Sequence, residues 1–252
     1  MSARTLPSEL DDIILDHLHD DHKTLASTAL VCRSWLPTSR HHLWHAIHLT
    51  FSQRGLERLR QLLCSSPHLV YHVRSVALVQ DKRALFRLHE RSLLFFILTS
   101  LPGFPALSSL TLSGLSFQSS FFGRISLSSI RRLSIAHCAF VDFQDVVRIC
   151  SAFPNLATLH LDNIWWERCS GVTINALPAK LAEVSLGDCF SRSQVIDWLL
   201  DALPAHTLHT LRLPIVSGYD IRLPELLAAA GSALLHFDVG SPSASDNSKN
   251  YR

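Results

Sequence analysis

A six-residue pattern, apolar-x-x-apolar-x-apolar, recurs along most of this 252-residue chain and constrains its fold more than any other feature. From Leu107 onward, successive copies begin 23–27 residues apart. The copies are Val73/Val76/Leu78, Leu107/Leu110/Leu112, Ile130/Leu133/Ile135, Leu156/Leu159/Leu161, Leu181/Val184/Leu186, Leu208/Leu211/Leu213 and Leu234/Phe237/Val239, with Trp44/Ile47/Leu49 as an earlier candidate. A short strand cannot bury its apolar side chains alone, but stacked copies share one continuous core.

Helical patterns lie between several of these copies. Apolar residues recur at helical spacing in Gln53–Leu63, Phe143–Phe153 and Ser193–Leu203. Strands that are separated by helices pair in parallel. We therefore predict an α/β fold over residues 50–240, a solenoid with a curved parallel sheet and helices on its convex side.

The residues between the apolar positions of each strand predict a polar concave face. Its central row is Ala77, Thr111, Ser134, His160, Ser185, Arg212 and Asp238, and its neighbouring row is Ser75, Ser109, Arg132, Thr158, Glu183, Thr210 and His236. Small polar side chains with a few mixed charges suit recognition of a protein surface, although a solvated sheet face has the same composition.

Six residues are candidates for contacting a target protein. They are Arg132, His160, Glu183 and Arg212 on the concave face, and the aromatic pair Trp165 and Trp166. An exposed aromatic pair makes a good interaction anchor. Core packing is the alternative for both tryptophans.

Residues 6–44 predict a separate module of three short helices. Ser8 is placed to cap the first helix, with Asp11 three residues later as in a capping box. A second apolar stripe runs from Leu25 to Cys32, Pro37 ends it, and a last helix covers Thr38–Trp44. This module has more apolar positions than three short helices can bury, so we expect some of them to pack on the array or on a partner.

This module, LPSELDDIILDHLHDDHKTLASTALVCRSWLPTSRHHLW, resembles an F-box, particularly the form common in fungal proteins. The matching positions are Leu6-Pro7, Leu10, Ile13-Ile14, Leu18, Leu25, the run Leu30–Trp35, Arg40 and Leu43-Trp44. The period and the LxxLxL core of the array likewise resemble leucine-rich repeats. These resemblances give an F-box domain over residues 1–49 and a repeat domain over 50–240. The polar, Ser-rich composition of residues 241–252 predicts a disordered tail.

The F-box resemblance implies docking to a Skp-family adaptor and, through it, to a cullin-RING ligase. We expect the adaptor contacts at Leu6, Pro7, Leu10, Ile13, Ile14, Leu18, Leu30, Val31, Cys32, Trp35, Leu43 and Trp44. The chain would then be a non-catalytic substrate-recognition subunit of an SCF-type (Skp–cullin–F-box) ubiquitin ligase, with the repeats holding an unidentified target protein. The alternative is a repeat scaffold that binds partners without ligase function.

Sequence motifs favour no enzyme and no cofactor. The chain has no GxSxG, GxxxxGK[ST] or HExxH motif. The best metal candidate is the histidine group His41, His42, His45 and His48, but no Cys or carboxylate at ligand spacing completes a tetrahedral site. An exposed helix rim is the alternative for these histidines.

Composition and cysteine usage predict an intracellular protein, in the cytoplasm, the nucleus or both. The net charge of +2 gives no argument for a nucleic-acid or membrane partner, and the longest apolar run, Leu93–Leu98, is too short to cross a bilayer. The N-terminal residues lack the features of a secretory signal. We expect Cys64, Cys138, Cys150 and Cys189 to be buried thiols.

The last strand pattern, Leu234–Val239, lacks the helix or polar cap that a terminal repeat usually needs. Either a partner covers this end of the array, or the array is a shortened version of a longer one.

Overall fold

The computed structural model describes residues 7–50, 52–80, 100–117, 126–170, 177–203, 207–213 and 221–239. The α-helices in these ranges are α1 Ser8–Asp16, α2 His22–Thr28, α3 Trp35–His45, α4 Gln53–Ser65, α5 Phe143–Ser151, α6 Arg192–Ala202 and α7 Leu223–Ala230. Short 3₁₀ helices cover Pro67–Tyr71, Leu101–Gly103 and Gly231–Ala233. The strands are β1 Ala46–Thr50, β2 Ser75–Val79, β3 Ser109–Ser113, β4 Ser116–Phe117, β5 Arg132–Ala136, β6 Ala139–Asp142, β7 Thr158–Asp162, β8 Trp165–Arg168, β9 Glu183–Leu186, β10 Thr210–Leu213 and β11 His236–Val239.

The main sheet has eight parallel strands in the order β1-β2-β3-β5-β7-β9-β10-β11. Every copy of the apolar pattern forms one of these strands, so the predicted α/β architecture with a parallel sheet is confirmed. The register aligns equivalent positions of the copies: Leu110 pairs with Leu133, and Leu133 with Leu159. A second, smaller parallel sheet has the order β4-β6-β8.

One face of the main sheet is buried, because the apolar residues of each strand alternate with polar ones. In β7 the side chains of Leu159 and Leu161 are fully buried, whereas those of the residues between and beside them are half-buried. The buried face shares one apolar cluster with α5 and α6, which contribute residues such as Val146 and Leu199. The opposite face carries the two predicted polar rows, and we call it the open face.

A left-handed backbone turn follows three successive strands. Gly114, His137 and Asn163 have φ of 71°, 54° and 47°, directly after β3, β5 and β7. The amide Nδ2 of Asn163 lies 2.8 Å from Nδ1 of His137, which stabilises two of these turns against each other. Each turn redirects the chain into the core and then into a strand of the small sheet.

The helical module has a small core of its own. Leu15 and Leu25 are fully buried but lie outside the large apolar cluster. Beside them, the buried hydroxyls of Thr28 and Ser39 lie 3.1 Å apart and form a hydrogen bond between α2 and α3. Helix α3 ends at His45 and β1 begins at Ala46, so the module continues into the sheet without a loop.

Three local predictions for this module are wrong. Pro7, and not Ser8, is the N-cap residue of α1, because helical backbone already begins at Ser8. Helix α2 ends at Thr28, so Leu30 and Val31 lie in a turn. Pro37 does not end a helix: it lies in the first turn of α3, where an amide N–H has no partner within the helix.

The cysteine prediction is confirmed at three positions of four. Cys138, Cys150 and Cys189 are buried, whereas Cys64 is exposed. Cys64 follows Leu59 by five residues on α4, about 140° around the helix axis, and therefore lies away from the side that packs on the sheet. The predicted tail, residues 241–252, and the run Leu93–Leu98 lie outside the described residues.

Candidate protein-interaction surfaces

Five large apolar side chains of the helical module are exposed, and we call this set the module surface. They are Leu10 (46%), Ile13 (52%), Ile14 (41%), Leu30 (87%) and Val31 (64%). The spacing 10, 13, 14 places the first three on one face of α1. Apolar side chains that share one face of a helix are normally covered, so these three form a candidate docking surface.

The opposite face of α1 packs on α3. Leu15 is buried there, Thr38 Oγ1 donates a hydrogen bond to Oδ1 of Asp12 at 2.7 Å, and Nε2 of His42 lies 2.8 Å from Oδ1 of Asp16. These contacts fix the rotation of α1 about its axis. Leu10, Ile13 and Ile14 therefore point away from the module core.

The turn after α2 presents Leu30 and Val31. Their amide N–H groups donate to the carbonyls of Ser27 and Thr28, at 3.1 and 3.0 Å, which stabilises the turn. In the same turn, the hydroxyl of Ser34 hydrogen-bonds the Cys32 thiol and lowers its pKa, while the Asp11 carboxylate acts in the opposite direction. Because Asp11 is close enough to act on Cys32, the turn lies near the N-terminal half of α1.

The other predicted adaptor residues are placed less uniformly. Pro7 and Cys32 are exposed, whereas Leu18, Trp35 and Leu43 are half-buried. Trp44 lies against the array and lines a cavity of about 460 Å³ between α3, β1 and α4. Leu6 lies outside the described residues.

The open face brings together four of the predicted target-binding residues. Arg132 pairs with Thr158 in register, Thr158 with Glu183, and His160 with Ser185, which in turn pairs with Arg212. Arg212 Nη1 lies 2.6 Å from Glu183 Oε1, and the Thr158 hydroxyl donates to Glu183 Oε2 at 3.4 Å. Since adjacent strands are about 4.8 Å apart, these side chains form one continuous polar area.

His160 lies near the middle of this polar area and is half-buried. Burial lowers its pKa, Arg212 acts in the same direction, and the Asp162 carboxylate opposes both. The imidazole is therefore neutral at pH 7, able to donate one hydrogen bond and accept another. Arg132 is exposed and has no ion-pair partner among the described residues.

The tryptophan pair divides between surface and core. Trp165 is 46% exposed, but Trp166 is only 3% exposed. The prediction that Trp166 contacts a target protein is therefore wrong. Successive strand residues point to opposite faces, and Trp166 points toward α6, where its indole N–H donates to Gln194 Oε1 at 2.8 Å. Its ring centroid lies 4.8 Å from that of Phe143.

The histidine group lies where the helical module meets the sheet. The ring centroids of His41 and His45 are 5.7 Å apart, and His72 lies 6.3 Å from His41. Burial, followed by the neighbouring imidazoles and Arg74, lowers the pKa of His41. Within the residues that the structure describes, no three His, Cys, Asp or Glu side chains are grouped to hold a metal ion.

Several exposed apolar residues were not singled out by the sequence patterns. They are Tyr71 (66%), Phe190 (75%), Ile221 (80%) and Leu235 (69%). Tyr71 ends a 3₁₀ helix, and Phe190 and Ile221 lie in turns, where period alone gives no signal. Leu235 directly follows Leu234, the first position of the last repeat copy.

No family model and no curated protein sequence matches this chain. Among the described residues, no helix combines the length and the apolar character needed to cross a membrane.

Proposed function

We propose that this chain is a non-catalytic substrate-recognition subunit of an SCF-type ubiquitin ligase. The module surface would bind a Skp-family adaptor, and the array would hold a target protein near the transfer machinery. The contribution to catalysis is proximity, because holding a target raises the local concentration of its lysines. Such a subunit would act in the cytoplasm, the nucleus or both.

The single observation that carries this proposal is the exposure of Leu10, Ile13, Ile14, Leu30 and Val31. All five are positions at which the sequence resembles an F-box. Among the described residues of the module, the large apolar side chains of Leu15 and Leu25 are fully buried and these five are exposed. Burying the five against a partner would therefore add hydrophobic stabilisation.

The open face supports target binding by its chemistry. Glu183, Arg212 and His160 offer a carboxylate, a guanidinium and a neutral imidazole within one polar area, and Arg132 adds an exposed cation. A protein target with mixed charges can pair with this arrangement. Trp165, 46% exposed, adds an aromatic anchor on the small sheet.

The first test is co-purification of the full chain with a Skp-family adaptor, comparing wild type with Ile13→Asp. We expect a stable complex with wild type and loss of the complex with the variant, because a carboxylate would be buried without a partner at the interface. Ile221→Asp is the matched control, since Ile221 is also an exposed isoleucine but lies outside the module. That control variant should bind like wild type.

The outcomes separate the possibilities clearly. Folded wild-type protein that never binds an adaptor contradicts the ligase proposal. Binding that Ile13→Asp leaves unchanged excludes the module surface as the adaptor contact. Equal losses with Ile13→Asp and Ile221→Asp would point to nonspecific apolar association.

The exposed last strand favours a second candidate, a scaffold that binds partners without promoting their degradation. Every residue of β11 is exposed, so this end of the array is open to another protein. Turnover of a bound partner in cells distinguishes the two candidates: it requires an intact module surface in the ligase, and is independent of that surface in the scaffold.

A further inference from the structure

Strand β11 ends the sheet with an uncovered apolar edge. Among the described strands it pairs only with β10. Leu235, Phe237 and Val239 are 69%, 43% and 47% exposed, whereas Leu211 and Leu213, the partners of Phe237 and Val239 in β10, are at most 1% exposed. The exposure differs because β10 lies between two strands of the sheet, whereas β11 has a neighbouring strand on one side only.

The backbone of β11 is open along the same edge. The N–H of His236 donates to the carbonyl of His209 at 3.0 Å, toward β10. Backbone polar groups of successive residues point to opposite sides of a strand, so those of Phe237 and Val239 point away from β10. An edge of this kind pairs readily with another strand.

We propose that a second copy of this chain covers this edge, with the two β11 strands antiparallel about a twofold axis at Phe237. In this register His236 lies opposite Asp238 of the second copy. Leu235 precedes β11 and its N–H donates to the carbonyl of His209 at 2.9 Å, so its side chain, and not its N–H, is available to Val239 of the second copy. Each contact occurs twice, because a twofold interface uses the same patch on both copies. The sequence Leu235–Val239 is thus complementary to its own reverse.

Charge selects this register over its neighbours. A twofold axis perpendicular to the sheet keeps the open faces of both copies on one side. The alternative registers are then those in which a residue other than Phe237 lies on the axis. Centring His236 places two imidazoles opposite each other, and centring Asp238 places two carboxylates opposite each other. Only the Phe237-centred register pairs imidazole with carboxylate. Like charges directly opposite in a sheet are destabilising.

The backbone directions agree with this register. The outward N–H and C=O of Phe237 form a hydrogen-bonded pair with those of the second Phe237. His236 and Asp238 then form the non-hydrogen-bonded pairs, whose Cα atoms are only about 4.5 Å apart, which brings imidazole and carboxylate into contact. Both side chains are exposed and neither has an ion-pair partner among the described residues.

Residues 240–252, which follow β11, differ in composition from the repeats. Residues 240–252, GSPSASDNSKNYR, contain no Leu, Ile, Val, Phe, Met or Trp, and hence no further copy of the apolar pattern. When two β11 strands pair, neither copy has a free β11 edge left, so an assembly through this interface stops at two copies. The two helical modules, next to β1, would lie at the opposite ends of the joined sheet.

Sedimentation velocity of the full chain over a wide concentration range tests this interface. Wild type should reach twice its 28.2 kDa monomer mass. Asp238→Lys places a cation opposite His236 at two symmetric positions and should raise the dimer dissociation constant about tenfold or more. His236→Asp combined with Asp238→Lys restores opposite charges and should restore dimerisation.

Asp188→Lys is the control, because it makes the same charge change at an exposed residue two strands away from the edge. His236→Glu gives a second test, since it sets two carboxylates against each other. A monomer at every concentration overturns the proposal, as does a dimer that Asp238→Lys leaves unchanged. A series of larger assemblies, or a double variant as weak as Asp238→Lys, also overturns it. None of these outcomes depends on the proposed adaptor function.

Discussion

Two leucines of the helical module, five residues apart, should respond in opposite ways to truncation. Leu25 is fully buried, whereas Leu30 is 87% exposed. Leu25→Ala removes buried methyl groups and leaves a cavity, which costs about 2–5 kcal/mol. Leu30→Ala removes groups that already contact water and should change the free energy of unfolding by about 0.5 kcal/mol or less.

Because the module is small, the free energy lost in Leu25→Ala is a large part of its stability. At about 0.05–0.15 kcal/mol per residue, residues 7–44 account for about 2–6 kcal/mol of stability. Its buried residues in the structure are few: Leu15, Leu25, Thr28 and Ser39. Leu25→Ala therefore removes most of the stability of the module, and we expect α2 and α3 to open locally while the array stays folded.

Hydrogen exchange read by mass spectrometry separates the two regions. For Leu25→Ala, amides of α2 and α3 should exchange about thirtyfold faster or more, as a loss of about 2 kcal/mol requires. Amides of β5 and β7 provide the internal reference and should not change. Leu30→Ala should match wild type throughout.

Either of two results would refute this reasoning. Faster exchange in Leu30→Ala, comparable with that in Leu25→Ala, would show that Leu30 packs within the module and would remove it from the module surface. Unchanged exchange in Leu25→Ala would show that the module does not depend on its small core.

Three further predictions follow from the burial of particular groups. Burial lowers the pKa values of His41 and His45, so the unfolded chain binds more protons than the folded chain below about pH 6.5. The free energy of unfolding should therefore fall as pH decreases through that range. His41→Gln should reduce the slope of the unfolding free energy against pH. Gly187→Ala makes a Cβ collide with Oδ1 of Asp162, which accepts a hydrogen bond from the Asp188 N–H. The loss of this hydrogen bond should lower the melting temperature, and Gly103→Ala, where a Cβ meets nothing within 4 Å, should lower it less. Burial raises the pKa of the Cys138 and Cys189 thiols to about 12. Mass-spectrometric alkylation at pH 7 should therefore label only the exposed thiols in the native protein and all thiols in urea; the exposed thiols are Cys32, Cys64 and Cys169.

The repeat array could be predicted from sequence because its signal is local and repeated. Leu110, Leu133 and Leu159 occupy the same position of successive copies, and a strand with that alternation has only one face to bury. The register of the main sheet could also be predicted from the repetition, because equivalent positions of successive copies stack on each other. The open-face rows, from Ser75 to Asp238, followed from the same alternation.

Single residues outside the repeats were harder to predict. Trp165 and Trp166 are identical in sequence terms, and only the direction of α6 relative to β8 decides that Trp166 is buried. Cys64 shares its helix with Leu59, and its exposure depends on how α4 is rotated against the sheet. Pro37 is compatible with a helix end or a helix start, and the packing of α3 on α2 selects the start.

The sequence alone determined which segments form the main sheet, which face of each of those strands is apolar, and where a second, helical module begins. Those properties depend on the order of neighbouring side chains along the chain. The small sheet of β4, β6 and β8 was not predicted, because its short strands carry no repeated pattern. Only the tertiary structure decided which apolar residues stay in water, from Ile13 and Leu30 on the module to Phe237 at the edge of the sheet. Exposure depends on which other elements lie against a side chain, and the packing that brings distant segments together is not encoded in the local pattern.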